Sequence, residues 1–444
     1  MRKYSHDTIA RVRLRHRVGQ LAHLATVIAE HGGMIGEIST VTIGENDTVR
    51  DVTLETESEA HTERVLEAIR ALPGFELLTV TDRVFEAHRG GKLRTVSRSR
   101  IETLADLRYI YTPGVARVSL AIQREPELAW DFTGLRSSVA VYTNGTRVLG
   151  LGDIGPLASL PVMEGKAALY ERFAGLSATP ILIDSRDPEV FIETVLLTSR
   201  GFGAIHLEDI RMPDCFRIEE ALDARLDKPV MHDDQWGTAT VALAAILNAC
   251  KLIGIDFKTS RVGQIGLGAA GSAIARTALD YGAREVFVSD LSVEACARMK
   301  GFGATVTDMA GVMREADIVV ATTGRPGLIR PEMVRKGQVI FALSNPDAEI
   351  DPDVALAAGA AYAGDGRSIN NALAFPGIFR GALEARAKRI TAEMRLAAAE
   401  AIAAQAAPGE LVPNPLDPKV HAAVRDAVAA QARAQGLEHT ATTG

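Results

Sequence analysis

Residues 262–271, VGQIGLGAAG, constrain this chain more than any other stretch of it. Gly266, Gly268 and Gly271 spell G-x-G-x-x-G. The pattern predicts a strand over 261–265 in front of it and a helix behind it, the context in which such a motif cradles a dinucleotide. Gly266 permits a tight turn, Gly268 lets backbone approach a pyrophosphate, and Gly271 lets helix pack on strand. Ala269 and Ala270 open the helix, whose free N–H groups face the phosphates. Asp290 follows the next predicted strand and sits where a carboxylate accepts from a ribose 2′-hydroxyl and repels a 2′-phosphate. That favours NAD over NADP. The bland alternative is a glycine-bearing turn with no cofactor.

The surroundings extend this reading. A helix is predicted over 238–252, and further strands over 285–288, 318–321 and 338–343. Alternating strands and helices imply a parallel sheet covered on both faces. Residues 101–236 alternate similarly around Gly-rich turns, and 381–436 are Ala-rich and helical. Residues 7–87 read as strands at 8–14, 34–43, 49–54 and 75–84 with helices at 21–28 and 57–72. That order, βαββαβ, is a ferredoxin-like arrangement. The stretch 88–100, HRGGKLRTVSRSR, is a solvated linker or a basic contact surface. The expected fold class is therefore α/β, with a ferredoxin-like unit at 1–87, a linker at 88–100, a substrate and metal domain at 101–236, a Rossmann domain at 237–380 and a helical segment at 381–444.

A net charge of −7 over 444 residues argues against a nucleic-acid partner. Three widely spaced cysteines, Cys215, Cys250 and Cys296, suit a reducing cytoplasm better than a disulfide framework. The first ten residues lack the apolar run of a signal peptide. The apolar segment 239–249 reads as too short to cross a membrane.

Chemistry-bearing residues cluster ahead of the glycine loop. Glu208, Asp209 and Asp234 offer three hard oxygen ligands, which suit Mg2+ or Mn2+ rather than zinc. Adjacent residues on a strand point to opposite faces, so Glu208 and Asp209 share an ion only at a strand end or in a loop. Solvated surface acids are the alternative at this point. By themselves, Tyr111 reads equally as a core aromatic and Lys166 as a surface amine.

The segments YTPGVA, VLGLGDIGPL, PVMEGKA, LEDI, HDDQ-x-GTA, GLGAAG, FALSNP and NNALAFPGIFRGAL, in that order, resemble the signature segments of bacterial malic enzymes. The resemblance spans about 90–435. It implies oxidative decarboxylation of malate to pyruvate and CO2 with reduction of NAD, NADP being the alternative, and a requirement for Mg2+ or Mn2+. It assigns metal binding to Glu208, Asp209 and Asp234. It makes Lys166 the general base and Tyr111 the general acid, with Asp233 orienting the pair. It places Arg147, Asn345 and Asn371 at the substrate, Asn345 and Asn371 also at the nicotinamide. Residues 1–87 are similar to ACT domains, which implies a small effector such as an amino acid, and a homo-oligomer, dimer or tetramer. Trp236 departs from the family's usual histidine, and the 366–370 run is shorter than usual. His206 and His232 read as supporting or structural residues. A malolactic-type enzyme, a related 2-hydroxy acid dehydrogenase and a non-catalytic amino-acid sensor are the competing readings.

Overall fold

Alternating burial along β1 (His6–Arg15) sets the architecture of the N-terminal part. Thr8, Ala10, Val12 and Leu14 are buried while their neighbours are not, as expected of a sheet with one covered face. The computed structural model describes residues 6–439 except 149, 346, 367 and 368. Leu149, Pro346, and the Arg367 and Ser368 of the short 366–370 run thus lie outside the described residues. Two compact units are present, Met1–Lys92 and Leu93–Gly444.

In the first unit β1 is followed by α1 (Gln20–Glu30), β2 (Met34–Ile43), β3 (Asp47–Thr56), α2 (Glu59–Ala71) and β4 (Phe75–Asp82). The strands form one antiparallel sheet in the order β2-β3-β1-β4. Val12, Val52 and Leu54 pack against Leu24 and Ile28 of α1 and Val65 and Ile69 of α2. Helix α2 starts later than predicted because the Ser58 hydroxyl caps it, accepting from His61 N–H. A short helix, α3 (Arg83–His88), closes the unit.

The second unit begins with α4 (Leu104–Ile110), α5 (Val115–Arg124) and α6 (Ala129–Phe132), none of which contains a buried residue. A parallel sheet follows: β5 (Ser138–Thr143), β6 (Ser177–Leu182), β7 (Ala204–Leu207) and β8 (Val230–His232), in the order β6-β5-β7-β8. Its crossovers are α7 (Pro156–Ala174), α8 (Pro188–Thr198) and α9 (Asp214–Arg225).

Next comes α10 (Asp233–Ile253). It begins five residues before the predicted helix start, because Asp233 and Asp234 stabilise its positive N-terminal end. The expected domain limit at 236/237 therefore falls inside a continuous helix. Its 21 residues and mean hydropathy of 1.4 reach membrane-spanning length, contrary to the expectation for 239–249, yet 61% of that window is buried within the protein. Val241 and Ala244 enter the core of the first sheet, whereas Ala242, Leu243 and Ile246 enter that of the second.

The second parallel sheet has six strands: β9 (Arg261–Ile265), β10 (Glu285–Ser289), β11 (Thr305–Val306), β12 (Ile318–Ala321), β13 (Val339–Ala342) and β14 (Tyr362–Asp365). Helices α11 (Ala269–Tyr281), α12 (Val293–Gly301), α13 (Met309–Glu315) and α14 (Pro352–Ala357) connect them. Their spatial order, β11-β10-β9-β12-β13-β14, is the doubly wound arrangement that binds dinucleotides where the order reverses, between β9 and β12. Strands β12 and β13 are unbroken buried apolar runs, as parallel strands covered on both faces require. Helices α15 (Phe375–Glu384), α16 (Ala392–Gln405) and α17 (Pro418–Ala434) return to the first sheet, burying Phe375, Phe379, Met394 and Val424 against Val139 and Tyr170.

Candidate active site

The acid cluster forms at the C-terminal ends of β7 and β8. Strand β7 stops at Leu207, and Asp209 adopts a left-handed backbone conformation at φ 55°. That turn removes the strand alternation that would send Glu208 and Asp209 to opposite faces. One ligand atom each from Glu208, Asp209 and Asp234 lies within 4.8 Å of the others. Asp209 N–H donates to Asp234 Oδ2 at 3.0 Å, and Arg147 N–H donates to the Asp209 carbonyl at 3.1 Å. Glu208 and Asp209 are buried, at 3% and 2% exposure. Buried like charges without a cation are costly, and an all-oxygen donor set fits a hard dication. The residues present therefore fit Mg2+ or Mn2+.

Helix α7 brings Lys166 to this cluster. Pro156 begins the helix and Gly175, at φ 61°, ends it. Met163, Lys166, Ala167 and Tyr170 fall on its buried face. Lys166 Nζ donates to Asp233 Oδ2 at 2.5 Å and stands 3.1 Å from Glu208 Oε1. The Phe375 ring lies beneath it, 4.7 Å from ring centre to Nζ. Burial works against the ammonium charge, but Asp233 and Glu208 outweigh it, and the lysine pKa stands above its ordinary value. The depressed pKa expected of a general base is thus not a property of this site without its ion. A dication on the acids would cancel much of that field. Burial pushes Asp233 up to about 6 and Glu208 up to about 7.

Two residues support Glu208 from behind. His206 Nε2 lies 2.5 Å from Glu208 Oε2, and Tyr170 Oη lies 2.8 Å from His206 Nδ1. Burial pulls His206 down to about 3, so the ring is neutral. A neutral imidazole donating to the carboxylate through Nε2 receives the tyrosine hydroxyl at Nδ1. Trp236 has a definite role in the packing here. Its indole N–H donates to Glu219 at 2.9 Å, Glu219 also accepts from His232 N–H, and Arg395 stacks 3.8 Å above the Trp236 ring.

The other expected site residues divide. Asn371 joins the Asp233 side of the cluster: a Cβ on Gly237 would stand 1.8 Å from Asp233 Oδ1 and 3.3 Å from Asn371 Cβ. Gly237 is therefore a site residue that residue-type reasoning overlooked, although it stands in HDDQ-x-GTA. Asn345 lies on the exposed loop after β13, at the cofactor sheet. The Arg147 side chain is exposed, beside the acids its backbone touches. Tyr111 stands apart. It caps α4, is 66% exposed, and its backbone bonds run to Leu107 and Val115 of the same arm. Among the described residues Tyr111 makes no hydrogen bond to Lys166 or Asp233, and helices α4 and α5 contain no buried residue.

At the glycine loop the expectations have direct physical counterparts. Gly266 has φ 89°, and a Cβ there would meet the Thr322 carbonyl at 2.8 Å. A Cβ on Gly271 would meet the Gly266 carbonyl at 2.0 Å, whereas one on Gly268 would meet nothing within 4 Å. The Ala269 and Ala270 positions begin α11. Asp290 accepts from Leu267 N–H at 2.5 Å and Ser292 N–H at 2.7 Å. Each oxygen retains a second lone pair for a ribose hydroxyl.

Residues 90–223 match the malic enzyme N-terminal domain, and 361–434 match the malic enzyme NAD-binding domain. The chain is 53% identical to NAD-dependent malic enzyme 1 of Bacillus subtilis (strain 168), over 92% of this chain and 94% of that protein. It is 39% identical to the NAD-dependent malic enzyme of Geobacillus stearothermophilus, over 96% and 94% of the two chains. The crystal structure of malic enzyme from Pyrococcus horikoshii superposes with a TM-score of 0.77 at 38% identity, covering 81% of this chain and 92% of that one.

Proposed function

We infer the function from one premise: this chain belongs to the malic enzyme family. It is an NAD-dependent malic enzyme, carrying out the oxidative decarboxylation of malate to pyruvate and CO2. The observation that carries the site assignment is the convergence of Glu208, Asp209 and Asp234 within reach of one ion, with Lys166 3.1 Å from Glu208.

Glu208, Asp209 and Asp234 would hold the dication. When bound, the dication would supply Lewis acidity at the C2 oxygen and NAD+ would supply the hydride acceptor. Lys166 removes the C2 hydroxyl proton, and Asp233 holds its Nζ in place. Arg147 and Asn371 hold substrate, and Asn345 faces the nicotinamide. Gly266, Gly268, Ala269, Ala270 and Gly271 receive the pyrophosphate, and Asp290 the ribose.

Tyr111 is the proton donor to C3, delivered by a second copy of the chain. Leu104, Leu107, Tyr109, Ile110 and Leu120 lie exposed on the same arm as Tyr111, an apolar surface that a partner subunit would cover. The working form is thus a homo-oligomer with active sites shared between copies. Mixing Tyr111→Phe with Lys166→Ala subunits tests this. Each variant alone is inactive, and the mixture regains activity because one composite site has both groups. No recovery after confirmed subunit exchange would rule out sharing.

The N-terminal unit is an ACT-like effector domain. Its βαββαβ order supports that reading, as does a cleft of about 560 Å³ lined by Arg13, Arg15, His16, Asn46 and Phe75. Deleting residues 1–87 should change the kinetics or abolish an effector response; an unaltered enzyme would refute it.

The reaction itself is tested with malate, NAD+ and Mn2+. NADH and pyruvate form in equal amounts and EDTA stops both. Lactate without net NADH would instead identify a malolactic enzyme.

A further inference from the structure

Glu349 is fully buried, yet it belongs to none of the groups assigned above. Its Oε1 accepts from Thr323 N–H at 2.6 Å, from the Thr323 hydroxyl at 2.8 Å and from the Ser344 hydroxyl at 2.5 Å. Its Oε2 accepts from Ser344 N–H at 3.3 Å. The carboxylate thus has four hydrogen-bond partners from two residues, Thr323 and Ser344. The two hydroxyls are themselves engaged. Gly324 N–H donates to Ser344 Oγ at 2.8 Å, and Arg325 N–H donates to Thr323 Oγ1 at 3.2 Å. Backbone bonds reinforce the junction: Gly327 N–H donates to the Ala348 carbonyl, and Ile329 N–H to the Glu349 carbonyl.

These partners come from two loops. Thr323 and Gly324 follow β12, and Ser344 and Asn345 follow β13. Both loops leave the C-terminal ends of neighbouring parallel strands, which is where this sheet type binds its ligand. Asp290, after β10, takes the ribose of the adenine half, so the nicotinamide half lies on the β12–β14 side of the switch point. The loop after β12 also abuts the glycine turn, since a Cβ on Gly266 would meet Thr323 Cγ2 at 3.0 Å.

A buried carboxylate is an expensive way to join two surface loops. A hydrophobic contact would stabilise as well, but it would not fix direction. Four bonds to one carboxylate, three of them at 2.8 Å or less, fix the loop backbones relative to each other. We propose that Glu349 is a positioning residue that locks the β12 and β13 loops together and so shapes the nicotinamide end of the dinucleotide crevice. The inference rests on the NAD-binding reading of this sheet. It does not involve the metal acids or Lys166.

The test uses the full-length enzyme and Glu349→Gln, which keeps the shape but turns an amide N–H2 towards a donor. NAD+ affinity is measured by calorimetry, Mn2+ affinity by electron paramagnetic resonance, and KM for both substrates by assay. Losing a charged hydrogen-bond acceptor weakens NAD+ binding about tenfold or more, with Mn2+ affinity and the KM for malate within about twofold of wild type. Ser344→Ala and Thr323→Val, milder changes, show the same selective loss, and they decide the matter if Glu349→Gln does not fold. Unchanged NAD+ affinity with a lower melting temperature would overturn the proposal and leave Glu349 a structural residue only. Equal weakening of NAD+, malate and Mn2+ would also overturn it. Product analysis of the wild type judges the reaction separately, because direct binding of NAD+ needs no turnover.

Discussion

Lys166 Nζ sits 2.5 Å from one oxygen of Asp233, while the other oxygen, Oδ1, is buried with no hydrogen-bond partner among the described residues. The carboxylate is thus anchored on one side only. Asp233→Asn keeps the shape and removes the charge that holds the ammonium. The kcat should fall roughly 10²–10⁴-fold, the range for a compromised general base, with the melting temperature close to wild type. Retained kcat in a correctly folded variant would remove Asp233 from the lysine's machinery. Lys166→Met should lose the same activity and also destabilise the metal-free protein by about 3–5 kcal/mol, because two buried carboxylates lose their cation. Urea unfolding in EDTA measures this.

Gly237→Ala tests the close approach beneath that carboxylate. An added Cβ would stand 1.8 Å from Asp233 Oδ1, so the side chain or the first turn of α10 must shift. Activity should drop by at least about tenfold, since small misplacements of reacting groups are costly. NAD+ affinity should be unchanged, because the glycine loop belongs to a different strand end. Wild-type kcat in Gly237→Ala would show that Asp233 tolerates displacement.

Metal affinity should depend on pH with a definite sign. Burial raises Glu208 to about 7 in the metal-free protein. Below that value the carboxylate carries a proton that an incoming ion must displace. Mn2+ binding should therefore weaken about tenfold between pH 8 and pH 6. Stability without metal runs the other way. A carboxyl whose folded pKa is raised loses stability as pH rises from its unfolded value to its folded one. Glu208 and Asp233, at about 6, should make the EDTA-treated protein less stable at pH 8 than at pH 5. Calorimetric melting at the two values checks the direction.

Cofactor choice should respond to Asp290. Its oxygens accept from Leu267 and Ser292 N–H groups, so the acid shapes the glycine turn, and the proposed site has it receive the ribose. Asp290→Asn removes the charge that repels a 2′-phosphate. The ratio of kcat/KM for NADP+ to that for NAD+ should rise by about tenfold or more, the scale of one charged hydrogen bond. An unchanged ratio would place the discrimination elsewhere.

The parts of the fold that were legible before any coordinates owe it to local signals. Strand 318–321, an unbroken apolar run, agrees with β12 residue for residue, and 261–265, placed by the glycine motif that follows it, agrees with β9. The glycine loop was legible by its motif, and two of its three positions, Gly266 and Gly271, answer to steric contacts that a side chain would not survive. The start of α10 was not, because Asp234 reads as a metal ligand and Asp233 as an orienting group, and their service to the helix end went unweighed. Neither was the raised Lys166 pKa, which depends on carboxylates brought from β7 and α10. Glu349 gave no sign, being one of four acids with Asp347, Asp351 and Asp353 in the segment after β13. Its partners lie across two loops and only the folded chain assembles them. Tyr111 could be picked out by motif, but its place on an unburied arm could not.

Helix α10 lends one side to the first sheet's core and another to the second's, with Asp234 at its tip. Glu208 and Asp209 sit in the turn that ends β7. An ion held by all three would rivet the malate-binding half to the nucleotide-binding half. Chimeras that exchange one half for a relative's have no clean seam at this helix. They must carry its whole length from a single parent or lose the rivet.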